Sequence, residues 1–201
     1  MLSRRPIPGA RRLVGLLVPL LLAAAAAAAA PSPALKAGVF EPPRQAPEFS
    51  LRGSDGAELT LSRHRGKVVL LSFGFTQCPA VCPTTLATLA EARQALGTDG
   101  SAVQVVFVTV DPERDAPARL KSYLAAFDAS FVGGTGSPAA LAAMRASYGV
   151  VAEKVPAGSS YGMDHTSSIF LIDRAGRLRA LMPYGRDAKD FVHDVKLLLA
   201  K

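Results

Sequence analysis

The chain has 201 residues, enough for one ordinary domain with a short extension and too few for two independent cores. It is 49% hydrophobic and 19% charged, the composition of a globular protein with an apolar excess supplied by an alanine-rich N-terminus. Setting Arg4, Arg5, Arg11 and Arg12 aside from the 23 basic residues leaves 19 against 16 acidic ones, so the net charge falls from +7 to +3; no Lys/Arg run is interleaved with aromatics, and nucleic acid is not an expected partner.

Residues 1–34 read as an address. Basic residues up to Arg12 precede an uncharged, mostly apolar run over 13–30 and then Pro-Ser-Pro-Ala, the pattern of an export signal or a membrane anchor. The run, about 18 residues, approaches the roughly 20 that a spanning helix needs, so its length leaves cleavage and retention both open. Charge on the near side puts the rest of the chain beyond the membrane. No cysteine closely follows the run, which argues against a lipid anchor, and two Arg-Arg pairs leave twin-arginine export open. The Pro-rich stretch 35–45 lacks periodicity and reads as a tether, with a single domain over 46–201.

Within that domain, Phe49-Ser-Leu51 and Glu58-Leu-Thr-Leu61 flank Gly53-Ser-Asp-Gly56 and predict an N-terminal β-hairpin. Residues 68–75 are a near-continuous apolar run and predict a buried central strand that ends at the cysteine segment. A helix over 84–96 follows and stops at Gly97. Residues 103–110 repeat the buried-strand pattern, and Asp115 is the expected N-cap of a helix reaching about 127. Ser137-Pro138 opens a helix to 148, and 150–154 is a short strand. The runs 167–172 and 178–182 flank Asp173-Arg-Ala-Gly176 as a second hairpin, and 187–199 closes the chain as an amphipathic helix. The expected fold class is α/β, a thioredoxin-like mixed sheet flanked by helices.

Cys78 and Cys82 are the only cysteines. A structural disulfide between them would close a very small loop and remove little chain entropy, so stapling is a poor reason to place both here. At the junction of a strand and a helix N-terminus they suit reactive thiolates, able either to trap a soft metal or to cycle as a dithiol/disulfide pair. The discriminator is a third ligand. His64, between two arginines, and His193, inside the last helix, are expected to be solvated surface residues. His165 lies in Tyr161-Gly-Met-Asp-His-Thr-Ser-Ser168, expected as a polar loop just before a buried strand that belongs beside the one ending at Phe75. Cys78, Cys82 and His165 form an S₂N set that suits trigonal Cu(I) and leaves zinc one ligand short. Asp164 is a candidate to orient the imidazole and Met163 a candidate weak thioether donor, neither being a primary ligand.

Gly74-Phe-Thr-Gln-Cys-Pro-Ala-Val-Cys-Pro83, Val110-Asp-Pro-Glu-Arg-Asp115 and Asp164-His-Thr-Ser-Ser168 resemble the SCO/SenC family, in its order and spacing, over roughly 46–199. The resemblance implies a thioredoxin-like domain on a membrane tether, exported to the periplasmic side of the bacterial inner membrane, anchored there if the N-terminal segment is uncleaved. It implies copper, as Cu(I) with Cu(II) as a second state, held by Cys78, Cys82 and His165, and it matches Asp111 to an acidic family position. The implied partners are the copper-binding subunit of cytochrome c oxidase and other copper chaperones as donors. Two tasks stay open: a metallochaperone for the binuclear copper site of the oxidase, or a thiol-disulfide oxidoreductase that reduces that site's cysteines, with Cys78 attacking and Cys82 resolving. Peroxide reduction fits less well, because relatives of that kind usually carry a different motif around the reactive cysteine. Ala80 and Gln77 depart from the acidic and basic residues common at those family positions, which bears on redox poise more than on ligation.

Overall fold

The computed structural model describes residues 34–200, so the leader expected over 1–34 lies, but for its last residue, outside the described residues. Among the described residues no helix is long and apolar enough to cross a membrane.

The sheet is built outward from two strands that are buried along their whole length, β4 (Val68–Gly74) and β5 (Val103–Thr109), which pair in parallel. Neither alternates polar with apolar residues, because helices cover both faces of a central strand. Val68, Leu70, Leu71, Val105 and Val106 are each at most 1% exposed, and burial of such a side chain stabilises by about 1.5–3 kcal/mol. On its other side β4 pairs antiparallel with β9 (Ile169–Ile172), which forms a hairpin with β10 (Arg177–Met182). The Asp173 carboxylate holds that turn by accepting from the amides of Ala175 and Arg177. The N-terminal hairpin pairs β2 (Ser50–Gly53) with β3 (Glu58–Thr60). With β1 (Gly38–Gln45) and β6 (Val132–Thr135), the eight strands run β1-β10-β9-β4-β5-β6-β2-β3. Helices α1 (Val81–Ala95) and α4 (Ala188–Leu199) pack together, and α2 (Pro117–Ala125) packs on β6. In α3 (Pro138–Tyr148) the Ser137 hydroxyl accepts from the Ala140 amide, the cap expected from Ser-Pro.

The structure corrects the sequence reading in five places. The stretch 35–45 is no tether: β1 pairs with β10, and the amides of Lys36 and Ala37 donate to the Asp194 carboxylate. Strand β6 escapes periodicity because Gly133 and Gly134 occupy it. A Cβ on Gly133 would lie 2.8 Å from Leu120 and one on Gly134 2.8 Å from Leu59, so packing on both faces demands the absent side chains. Asp115 does not cap α2, whose N-cap is Ala116; it is fully buried and turned inward. The polar stretch expected as a loop before β9 is β8 (Ser160–His165), paired with β7 (Ala152–Ala157) in a separate two-stranded sheet. His64 is 7% exposed rather than solvated, whereas His193 is half-buried and bonded to Asp194.

This topology gathers three segments at one end of β4. The cysteine segment leaves the C-terminal end of β4, residues 110–115 leave the parallel β5 at the same end, and the residues preceding antiparallel β9 arrive there.

Candidate metal centre

Helix α1 begins three residues before the start at 84 expected from the sequence, with Ala80 as N-cap and Val81, Cys82 and Pro83 in its first turn. Proline is tolerated there because first-turn amides have no partner within the helix. No side chain of the N-cap residue serves this helix. Instead the Cys82 amide donates to Cys78 Sγ at 3.4 Å, so one sulfur of the pair caps the helix that carries the other.

The two sulfurs differ in setting. Both are free thiols, Cys78 half-buried and Cys82 3% exposed. Burial pushes the Cys82 thiol far up from its ordinary value, with the nearby Cys78 adding to the effect, so Cys82 is a thiol at neutral pH until a cation or an exchange partner takes its proton's place. Gly74 makes room for it: a Cβ there would lie 2.7 Å from Cys82 Sγ and 2.6 Å from the Phe107 ring.

Across the site, Cys82 Sγ faces His165 Nε2 at 3.8 Å. His165 Nδ1 lies 2.9 Å from the Thr166 carbonyl, which can only accept, so Nδ1 carries the proton and Nε2 presents its lone pair to the sulfur. The Phe75 ring meets the imidazole edge-on, with centroids 6.0 Å apart, and limits its swing. Donors at about 2.3 Å (sulfur) and about 2.0 Å (nitrogen) from one ion at a trigonal angle stand roughly 3.8 Å apart. The Cys82–His165 pair therefore has the separation of two ligands of one metal ion. Cys78 does not complete a closed cage: among the described residues no three His, Cys, Asp or Glu side chains are gathered as a ready ligand set. Cys78 borders a cavity of about 350 Å³ together with Met163, Asp164 and His165, so a rotation of its side chain has room. Asp164 is exposed and Met163 half-buried in that lining.

Asp111 is buried, accepting from the Tyr161 hydroxyl at 2.9 Å and pairing with Arg114. Asp115 accepts from the Thr76 amide (3.0 Å) and hydroxyl (2.6 Å) and from the Thr109 hydroxyl (2.7 Å), anchoring the cysteine segment from beneath. The roles of Thr76, Asp115 and Tyr161 carried no signal in spacing, because they depend on strand pairing. Gln77 is exposed and accepts from Arg114, and Ala80 offers the site no polar group.

The SCO1/SenC family model matches residues 40–200. A SCO2-like protein of Rickettsia conorii is 33% identical over 133 residues, 65% of this chain and 65% of that protein, so the chain matches just under two thirds of that relative's length. The copper-bound structure of Bradyrhizobium japonicum ScoI is 40% identical, with a TM-score of 0.72 over 77% of this chain and 99% of that one. A structure describing a disulfide switch in BsSco, a member of the Sco family of cytochrome c oxidase assembly proteins, is 25% identical, with a TM-score of 0.65 over 79% and 95%. Its thioredoxin-like sheet and a family match running from β1 through α4 show that this chain belongs to the SCO1/SenC family.

Proposed function

We propose that the protein is an exported copper metallochaperone for maturation of the binuclear copper site of cytochrome c oxidase, carrying Cu(I) on Cys78, Cys82 and His165. The observation that carries this reading is the 3.8 Å approach of Cys82 Sγ to a His165 Nε2 whose lone pair is freed by the Nδ1 bond to Thr166. Two thiolates and one imidazole are a soft set that favours Cu(I) over zinc. The copper-bound ScoI relative supports the cargo, and the oxidase-assembly description of BsSco supports the destination. The basic and apolar residues of 1–34 support export to the periplasmic side of a bacterial inner membrane. Delivery proceeds by ligand exchange, the half-buried Cys78 being the sulfur that an acceptor thiolate or imidazole reaches first. Titration of the reduced protein with Cu(I) against a chromophoric chelator tests the ligand set. One ion binds per chain, and Cys78→Ser, Cys82→Ser and His165→Ala each lower the affinity by about tenfold or more. Unchanged affinity in His165→Ala would remove the imidazole from the set.

A second reading rests on the unequal exposure of the two free thiols. An accessible Cys78 attacks a partner disulfide and a buried Cys82 resolves the mixed disulfide, which would return the oxidase's copper-ligand cysteines to the reduced state. The disulfide switch described for BsSco favours it. On this reading Cys82→Ser accumulates a reducible covalent adduct with the copper-binding subunit, while His165→Ala exchanges disulfides at close to the normal rate. Absence of the adduct counts against reductase activity.

A further inference from the structure

The hairpin β7–β8 carries His165 but shares no backbone ladder with the main sheet. Its base is closed by the Thr166 amide on the Val151 carbonyl at 3.0 Å, yet nothing in the sheet register fixes the angle at which the hairpin stands over the cysteines. One side chain reaches both. Arg114 Nη1 donates to the Tyr161 carbonyl of β8 at 3.0 Å and to Gln77 Oε1, beside Cys78, also at 3.0 Å. Its guanidinium carbon stacks 3.8 Å from the centre of the Tyr161 ring and 5.8 Å from that of Phe75, which packs on His165. Arg114 Nε pairs with the buried Asp111, which also takes the Tyr161 hydroxyl. Outside this, Lys154 of β7 bonds Glu113 at 2.6 Å and lies 4.5 Å from the centre of the Tyr161 ring.

We infer that Arg114 is the positioning residue that sets the distance between the two halves of the copper site, by latching the His165 hairpin to the cysteine segment. A planar, multiply donating guanidinium suits this task, because three acceptors and an aromatic face are engaged at once; a lysine ammonium has neither the fork nor the stacking surface. The inference rests on the copper reading for its functional consequence, although the latch is a property of the metal-free protein. Only 16% of the Arg114 side chain is exposed, so water and salt screen its contacts little.

The test is a double-mutant cycle read by Cu(I) affinity against a competing chelator, with Arg114→Gln and His165→Ala alone and together. Arg114→Gln lowers affinity about 10–100-fold in the presence of His165, the range for residues that orient a metal ligand, and by less than about twofold when His165 is already alanine. Equal losses in both backgrounds, or no loss in the first, overturn the inference. Gln77→Leu removes one acceptor at an exposed position and lowers affinity by a smaller factor; it stands in if Arg114→Gln does not fold. In the metal-free protein, amide exchange of residues 160–165 and the His165 imidazole NMR shifts report the latch directly. Faster exchange and shifted resonances in Arg114→Gln support the latch, and unchanged ones overturn it. A wild-type protein that binds no Cu(I) would refute the copper reading while leaving this metal-free measurement to decide the latch.

Discussion

His64 shows how far one side chain can depart from its sequence context. It lies in the 3₁₀ turn Ser62–His64 between Arg63 and Arg65, a polar setting, yet its ring is buried and its Nε2 has no partner among the described residues. Burial first, and then the positive charges of Arg63 and Lys67, push its pKa down to about 4. Above the unfolded value of about 6.5 the imidazole is neutral in both states and the stability is complete. As pH falls from about 6.5 towards about 4, the unfolded chain takes up a proton that the fold refuses, so stability declines across that window. The carboxylates held below their ordinary range, such as Asp128 and Asp173, lose their contribution only at lower pH, which separates the two effects. Urea unfolding at pH 7 and pH 5 therefore shows a larger drop for the wild type than for His64→Leu. Equal drops would refute the role of His64.

At the scale of elements, the strands and helices with a strong period were legible and those set by contact were not. The runs of β4, β5 and β9 declare themselves because buried strands need apolar residues throughout, and the Asp173–Gly176 turn because its residue types suit a tight hairpin. Strand β1 was hidden by its prolines, which are compatible with an edge position, and by a partner, β10, that lies far along the chain. The same distance hid its anchor. The fully buried Asp194 of α4 accepts the amides of Lys36 at 2.8 Å and Ala37 at 2.9 Å, and the Lys36 ammonium bonds Asp190 at 2.7 Å. Removing a carboxylate that accepts two buried or half-buried amides strands those donors. Asp194→Ala is expected to cost about 3 kcal/mol and to lower the thermal midpoint by roughly 10 °C. A change of under about 2 °C would mean that β1 is held by its ladder alone.

For the molecule as a whole, the candidate donors Cys78, Cys82 and His165 and their order along the chain stood out in the sequence as a thiol pair at a strand end and a histidine before a buried strand. What converts them into a site is topology: β4 pairs with β5 in parallel and with β9 in antiparallel fashion, so the chain leaves β4, leaves β5 and enters β9 at a single edge. The register that brings Leu71 opposite Phe170 is not written in any local pattern, and neither is the separate hairpin that brings His165 to Cys82. The unequal exposure of Cys78 and Cys82 has a consequence for chemical durability. An oxidant meets the half-buried Cys78 first and makes a sulfenic acid there, and a lone surface thiol would continue to irreversible acids. Here the sheltered Cys82 thiol, whose own amide already touches the Cys78 sulfur, condenses with it to a disulfide and water. The damage stops at a form that reductants reverse, so the buried cysteine serves as a repair reserve for the exposed one.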